Sequence, residues 1–228
     1  MLAVLGGAAV VGGSVAVGVE VNRGPTAKQI DAAGRKEFAL RWRTLGAGEV
    51  FPARVDGPAG MSKTPAWTAT RVGIAPAASC AEGFDRPIAD ALVKHGCRAV
   101  LRATYVDGTG TLVTTLGVAV MPDPGQASGA EAGFPSSVGD NKRYGVRAVT
   151  FPGTVAGKFR DPLRQDFYFA ANGTPYLFFR SSGWIADRGA RVGTVLADTF
   201  AFARTALDQV ILRFAETTEP CERRGVRC

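Results

Sequence analysis

The residues with the most chemical potential are four cysteines, Cys80, Cys97, Cys221 and Cys228, set as two close pairs. Four cysteines admit three pairings. Neighbour pairing is the simplest: a Cys80–Cys97 bond would staple both ends of one helix, and Cys221–Cys228 would close a small loop in the tail. Closing a loop of the first size contributes about 3 kcal/mol through chain entropy, less any native strain. A four-cysteine zinc site is the alternative, but structural zinc knuckles hold their cysteines only about two to four residues apart. Free thiols in a reducing compartment are the third reading. The paired spacing favours disulfides, and disulfides imply an oxidising compartment.

The other candidate chemistry is thin. His95 is the only histidine. It falls in the last turn of an expected helix, where a cation suits the helix dipole, so a structural role is expected. One histidine cannot build a His-rich metal site. No serine occupies a G-x-S-x-G elbow, and neither a phosphate-binding G-x-x-x-x-G-K-[ST] loop nor a helix-opening G-x-G-x-x-G appears. Asp161, Asp166 and Asp187 could meet as paired carboxylates, although their spacing does not require it. The residues therefore indicate no catalytic group, no cofactor and no metal, and an enzyme is not expected.

The block from Cys80 to Val120 positions the first cysteine pair. Asp85 ahead of Pro87 predicts a helix N-terminus. Phe84, Ile88 and Leu92 lie at helical spacing, and Gly96 stops the helix. From Cys97 the period changes to two. Ala99, Leu101, Ala103 and Tyr105 share one face, while Arg98, Arg102 and Thr104 take the other. Asp107–Gly110 is the expected turn, pairing Val106 with Thr111 and Leu101 with Leu116. A second hairpin is predicted from Asp166 to Arg180 around Asn172-Gly173. Counting outward from that turn pairs Phe169 with Tyr176 and Phe167 with Phe178 on one face, and Tyr168 with Leu177 on the other. Both faces are apolar, so a place inside a sheet or cover on both sides is expected.

Other elements are shorter or less regular. Residues 50–55 predict an edge strand, limited by Pro52, and Trp67–Ile74 a strand ended by Pro76. The Pro/Gly/Ser/Ala-rich run from Pro122 to Gly139 reads as a long loop. Short strands are expected at Gly145–Thr150 and Thr154–Phe159. Ser181–Trp184, with Asp187–Gly189, reads as a polar turn. Leu196, Phe200, Ala203, Leu207, Val210 and Phe214 then trace the best amphipathic helix in the chain. The expected fold class is α+β: a mostly antiparallel sheet of two hairpins, packed by a short disulfide-stapled helix and a long C-terminal helix.

Residues Leu2–Val19 contain no charge. Such a segment spans about 27 Å, close to the thickness of a bilayer core. Its glycines and alanines make insertion marginal, and a secretory signal cleaved after Ser14-Val15-Ala16 competes with an uncleaved anchor. The expected organisation is an anchor or signal over 1–21, a basic juxtamembrane helix over 22–47 (periodic from Lys28 to Trp42), an extracytoplasmic domain over 48–217 and a cysteine-containing tail over 218–228. Six basic residues against two acidic ones between Asn22 and Ala47 would place that flank in the cytoplasm, in conflict with the cysteines. The cysteines are given the greater weight. The net charge of +7 is scattered and not interleaved with aromatics, so a solvated basic surface is expected and nucleic acid is not.

These readings converge on a non-catalytic, membrane-anchored extracytoplasmic domain, a sensor or an accessory subunit of an envelope complex, with a protein partner in the envelope. The alternatives are a secreted or anchored envelope hydrolase using carboxylates, and a polyanion-binding module. Nothing in the residues speaks to self-association.

Overall fold

The computed structural model describes residues 24–57, 67–135, 144–185, 198–215, 220–222 and 226–227. In chain order the elements are α1 (Ala27–Thr44), α2 (Ala47–Val50), β1 (Arg54–Asp56), β2 (Thr68–Ala78), α3 (Cys80–Gly83), α4 (Arg86–Lys94), β3 (Ala99–Asp107), β4 (Leu112–Val120), α5 (Pro124–Ala132), β5 (Arg164–Ala171), β6 (Tyr176–Trp184) and α6 (Ala201–Arg213). The strands form one antiparallel sheet in the order β1-β2-β3-β4-β6-β5. The α+β class, the antiparallel sheet, the disulfide beside a short helix and the C-terminal helix all stand as expected.

Both faces of the sheet are covered. Phe202, Ala203, Ala206, Leu207, Val210 and Phe214 of α6 pack on Ala103, Tyr105, Leu116, Val118, Tyr176 and Phe178. On the opposite face, Ile88, Ala89 and Leu92 of α4, with Ala127 and Ala130 of α5, pack on Val100, Ala119, Leu177 and Phe179. Period-two alternation lets one strand feed both layers, which is why β4 and β6 are buried along almost their whole length.

The first hairpin keeps its expected faces but slips by two residues: Leu101 lies opposite Val118, Ala103 opposite Leu116 and Val106 opposite Val113. The cause is Asp107. Its carboxylate accepts the N–H groups of Thr109 (3.2 Å), Thr111 (2.9 Å) and Leu112 (2.8 Å). The turn therefore falls after Asp107, with Gly110 taking its positive φ of 66°. The face that carries Arg102 is enclosed as well. Thr104 and Thr115 are fully buried there, sharing a 3.2 Å hydrogen bond.

The second hairpin slips by three. Phe169 faces Phe179, and Tyr168 faces Arg180. An odd slip exchanges faces, so Tyr176 and Phe178 lie under α6 while Phe169 and Phe179 lie on the α4 side. A two-residue Asn-Gly turn needs positive φ at both positions. Here only Gly173 has it (φ 73°). The Asn172 amide instead donates to the Phe214 carbonyl at 3.2 Å, and the Pro175 carbonyl accepts the Met121 N–H at 2.9 Å. These contacts open a wider loop.

Four further expectations are corrected. The run Pro122–Gly139 is not all loop: Asp123 accepts the Gln126 N–H at 2.8 Å, Pro124 sits in the first turn, and α5 follows. Pro76 does not end β2, because the register shifts between Ala75 and Ala78 and absorbs the missing N–H. Residues 145–150 contribute only one bridge, Val146 to Phe84, and 154–159 form turns. Ser181–Trp184 is buried strand, since β6 lies between β4 and β5. Residues 186–190 and 195–197, where the remaining turn and the helix start were expected, lie outside the described residues.

The chain divides into two compact units, residues 1–37 with 217–228 and residues 38–216. In the first, Thr26 and Gln29 cap α1 reciprocally: the Thr26 hydroxyl accepts the Gln29 N–H (3.4 Å), and Gln29 Oε1 accepts the Thr26 N–H (2.8 Å). Among the described residues, no helix is long and apolar enough to cross a membrane. The expected anchor over 1–21 lies outside them.

Candidate functional site

Local geometry around the first cysteine pair follows from capping. The Ser79 hydroxyl accepts the Glu82 N–H at 3.3 Å and so starts α3, with Cys80 its first residue. Asp85 and Pro87 start α4. Gly96, at φ 75°, ends it and turns the chain back so that Cys97 meets Cys80, their Cα atoms 6.2 Å apart. The staple thus encloses two short helices rather than one. Cys221 is also disulfide-bonded; Cys228, its expected partner, lies outside the described residues. His95 is the C-cap of α4, and its Nδ1 lies 3.0 Å from Gln126 Oε1 of α5, tying the two helices together.

Asp85 does not cap α4 with its side chain. Its two oxygens instead accept both terminal nitrogens of Arg164 (2.8 and 2.9 Å) and the Gly145 N–H (2.9 Å). Arg164 also donates to the Val146 carbonyl at 2.9 Å. The Arg164 side chain is 7% exposed and that of Asp85 17%. A bidentate pair so enclosed is a clamp between the start of α4, the 145–146 segment and β5. With both oxygens occupied, Asp85 is poorly placed to take a proton from a substrate.

The candidate carboxylates do not converge. Asp161 accepts the Ala148 N–H at 2.7 Å and pairs with Arg147 (3.3 Å) and Arg164 (3.2 Å). Asp166 pairs with Arg180 at 3.3 Å. Arg180 shares the α6 face with Tyr176 and Phe178 and lies 5.1 Å from the Tyr168 ring. The two aspartates thus serve separate ion pairs. Asp187 lies outside the described residues. Burial pushes the Arg180 pKa down, against the opposing pull of Asp166. Arg102 is lowered for the same reason, opposed by Asp161 and Glu82. Among the described residues, no group of three or more His, Cys, Asp or Glu side chains could hold a metal ion.

One open groove of about 570 Å³ lies on the stapled helix. Arg86, Asp90, Val93 and Lys94 of α4 line it with Phe84 and Arg147. Three cations against one carboxylate, with an apolar floor, can hold an anionic group. The i, i+4, i+7, i+8 spacing of Arg86, Asp90, Val93 and Lys94 was visible in the sequence as the outer face of the helix. The Asp85–Arg164 clamp was not, because its partners are far apart in the chain and only folding joins them.

Compared with family models, curated proteins and solved structures, the chain gives no match.

Proposed function

We propose that the chain is a non-catalytic extracytoplasmic domain, anchored in the membrane through residues 1–21, that acts as a sensor or accessory subunit of an envelope complex. The observation that carries this reading is the Cys80–Cys97 disulfide, which closes the α3–α4 unit onto the start of β3. Such a bond persists in an oxidising compartment. Asp85, Asp161 and Asp166 are spent on holding elements together, which supports a binding role over hydrolysis. A protein partner in the envelope is the natural ligand for a domain of this kind. The test is a compartment-sensitive reporter fused after Cys228, with and without residues 1–21. The expected result is external reporter activity that depends on residues 1–21; cytoplasmic activity from both fusions overturns the reading.

A further inference from the structure

The two edges of the sheet are built differently. β1 is three residues long, and its exposed Arg54 and Asp56 pair with each other at 2.9 Å. A short, charged edge of this kind resists pairing with another strand. β5 has eight residues. Its two charged side chains are turned inward to partners: Arg164 to Asp85, and Asp166 to Arg180. The remaining run, Phe167-Tyr168-Phe169-Ala170-Ala171, carries no charge and no proline. The register shift of β5 lies before this run, between Arg164 and Asp166. Tyr168 is 49% exposed and Phe169 38%, one on each face. Among the described residues, the outer backbone edge of Phe167–Ala171 meets no hydrogen-bonding partner. Within Phe167–Ala171 itself, among the described residues, no charge, proline or bulge protects the edge.

We propose that β5 pairs antiparallel with β5 of a second copy of this chain, joining two six-stranded sheets across a two-fold axis at Phe169. Unpaired N–H and C=O groups along an edge define the ligand as an extended strand. The side-chain pattern selects another β5. Centred on Phe169, Phe167 lies opposite Ala171 of the second copy and Tyr168 opposite Ala170, so a large side chain meets a small one on either side of a central Phe169–Phe169 aromatic pair. The run is neutral, so the positive charge carried by each copy is not concentrated at the contact. Growth stops at two copies, because the only other edge, β1, is short and charged. This inference does not depend on the anchoring of the chain.

The test uses the full-length chain in whichever fraction it partitions. No free cysteine occurs among the described residues, so Tyr168→Cys supplies a distinct thiol. Across the axis the two 168 positions are diagonal neighbours, about 7–8 Å apart. A short bis-maleimide is expected to give a covalent dimer on a reducing gel. Adding Ala171→Lys, which places an ammonium at an exposed edge position of each copy, is expected to remove that band while the far-UV circular dichroism is unchanged. Arg54→Cys on the β1 edge is expected to give none. Absence of the Tyr168→Cys dimer, a cross-linked product of another mass, or a dimer equally strong from Arg54→Cys or with Ala171→Lys, overturns the proposal.

Discussion

The two faces of the sheet are closed by different means. Under α6, one thirteen-residue helix lays Phe202, Leu207, Val210 and Phe214 along the strands, and Phe214 packs against Tyr176 (ring centroids 4.4 Å) and Phe178 (5.8 Å). On the other face, α3 has four residues and α4 and α5 nine each. Helices that short are marginal on their own, because nucleation costs more than a few turns return. That face holds the Cys80–Cys97 bond, the Asp85–Arg164 clamp and the His95–Gln126 contact. The longer helix is held chiefly by its apolar stripe, with the Asp166–Arg180 pair and the Asn172–Phe214 hydrogen bond beside it, whereas the short helices add a covalent tie.

The largest effects should come from the residues each face buries most deeply. Phe178 and Phe179 are neighbours on β6, 0% and 1% exposed, and they point to opposite faces. Truncating either to alanine should cost about 3–5 kcal/mol, measured as a lowered denaturant midpoint. Hydrogen exchange would separate them: Phe178→Ala should release the amides of α6 first, and Phe179→Ala those of α4 and α5. Loss in the same region from both variants would mean that the faces are not independent.

A somewhat smaller effect is expected at the clamp. Asp85→Asn removes the bidentate charge partner of a buried guanidinium that keeps Asp161 beside it; breaking a buried pair usually costs about 3–5 kcal/mol. The part-exposure of Asp85 places the expectation at the low end. The change should loosen α4 and the 145–146 segment while leaving α6 protected in hydrogen exchange. A loss below about 1 kcal/mol would show that the disulfide alone holds that face.

The hairpins show what was legible beforehand and what was not. Both were located from alternation and turn residues, and both had the wrong register. The β3–β4 slip is even, so Leu116 and Val118 stayed on their assigned face although their partners changed. The β5–β6 slip is odd, so Phe169, expected on the face of Tyr176 and Phe178, lies on the opposite face against Phe179. In each case a side chain at the turn set the register: Asp107 gathering three N–H groups, or Asn172 reaching the end of α6. Such bonds are invisible to a count outward from a turn motif. α5 was missed because its buried positions, Ala127 and Ala130, are small residues in a segment rich in them, although the Asp123-Pro124 start was there to be read. The disulfide between Cys80 and Cys97 was legible because spacing alone favoured it. The groove was half legible: the outer face of α4 follows from periodicity, but the approach of Arg147 does not.

The smallest effect tests whether cover on the α4 face extends to the charged side chains. Arg102 is half-buried, with its Nε enclosed and without a hydrogen-bond partner among the described residues. Arg102→Ala gives up stem packing but also relieves an unpaired donor. The two should leave a change within about 1 kcal/mol in the denaturant midpoint. A loss of several kcal/mol would place Arg102 among the ties of that face, beside Asp85 and Arg164.

The Cys80–Cys97 disulfide closes the short-helix face, and the proposed function has that bond made outside the cytoplasm. The direct measurement is thiol state: quench cells with acid, alkylate the denatured full-length chain with N-ethylmaleimide, and weigh it before and after reduction. The account predicts no adduct until reduction and then four, one for each cysteine of the chain. Four adducts on the unreduced protein would contradict both the disulfide and the compartment inferred from it.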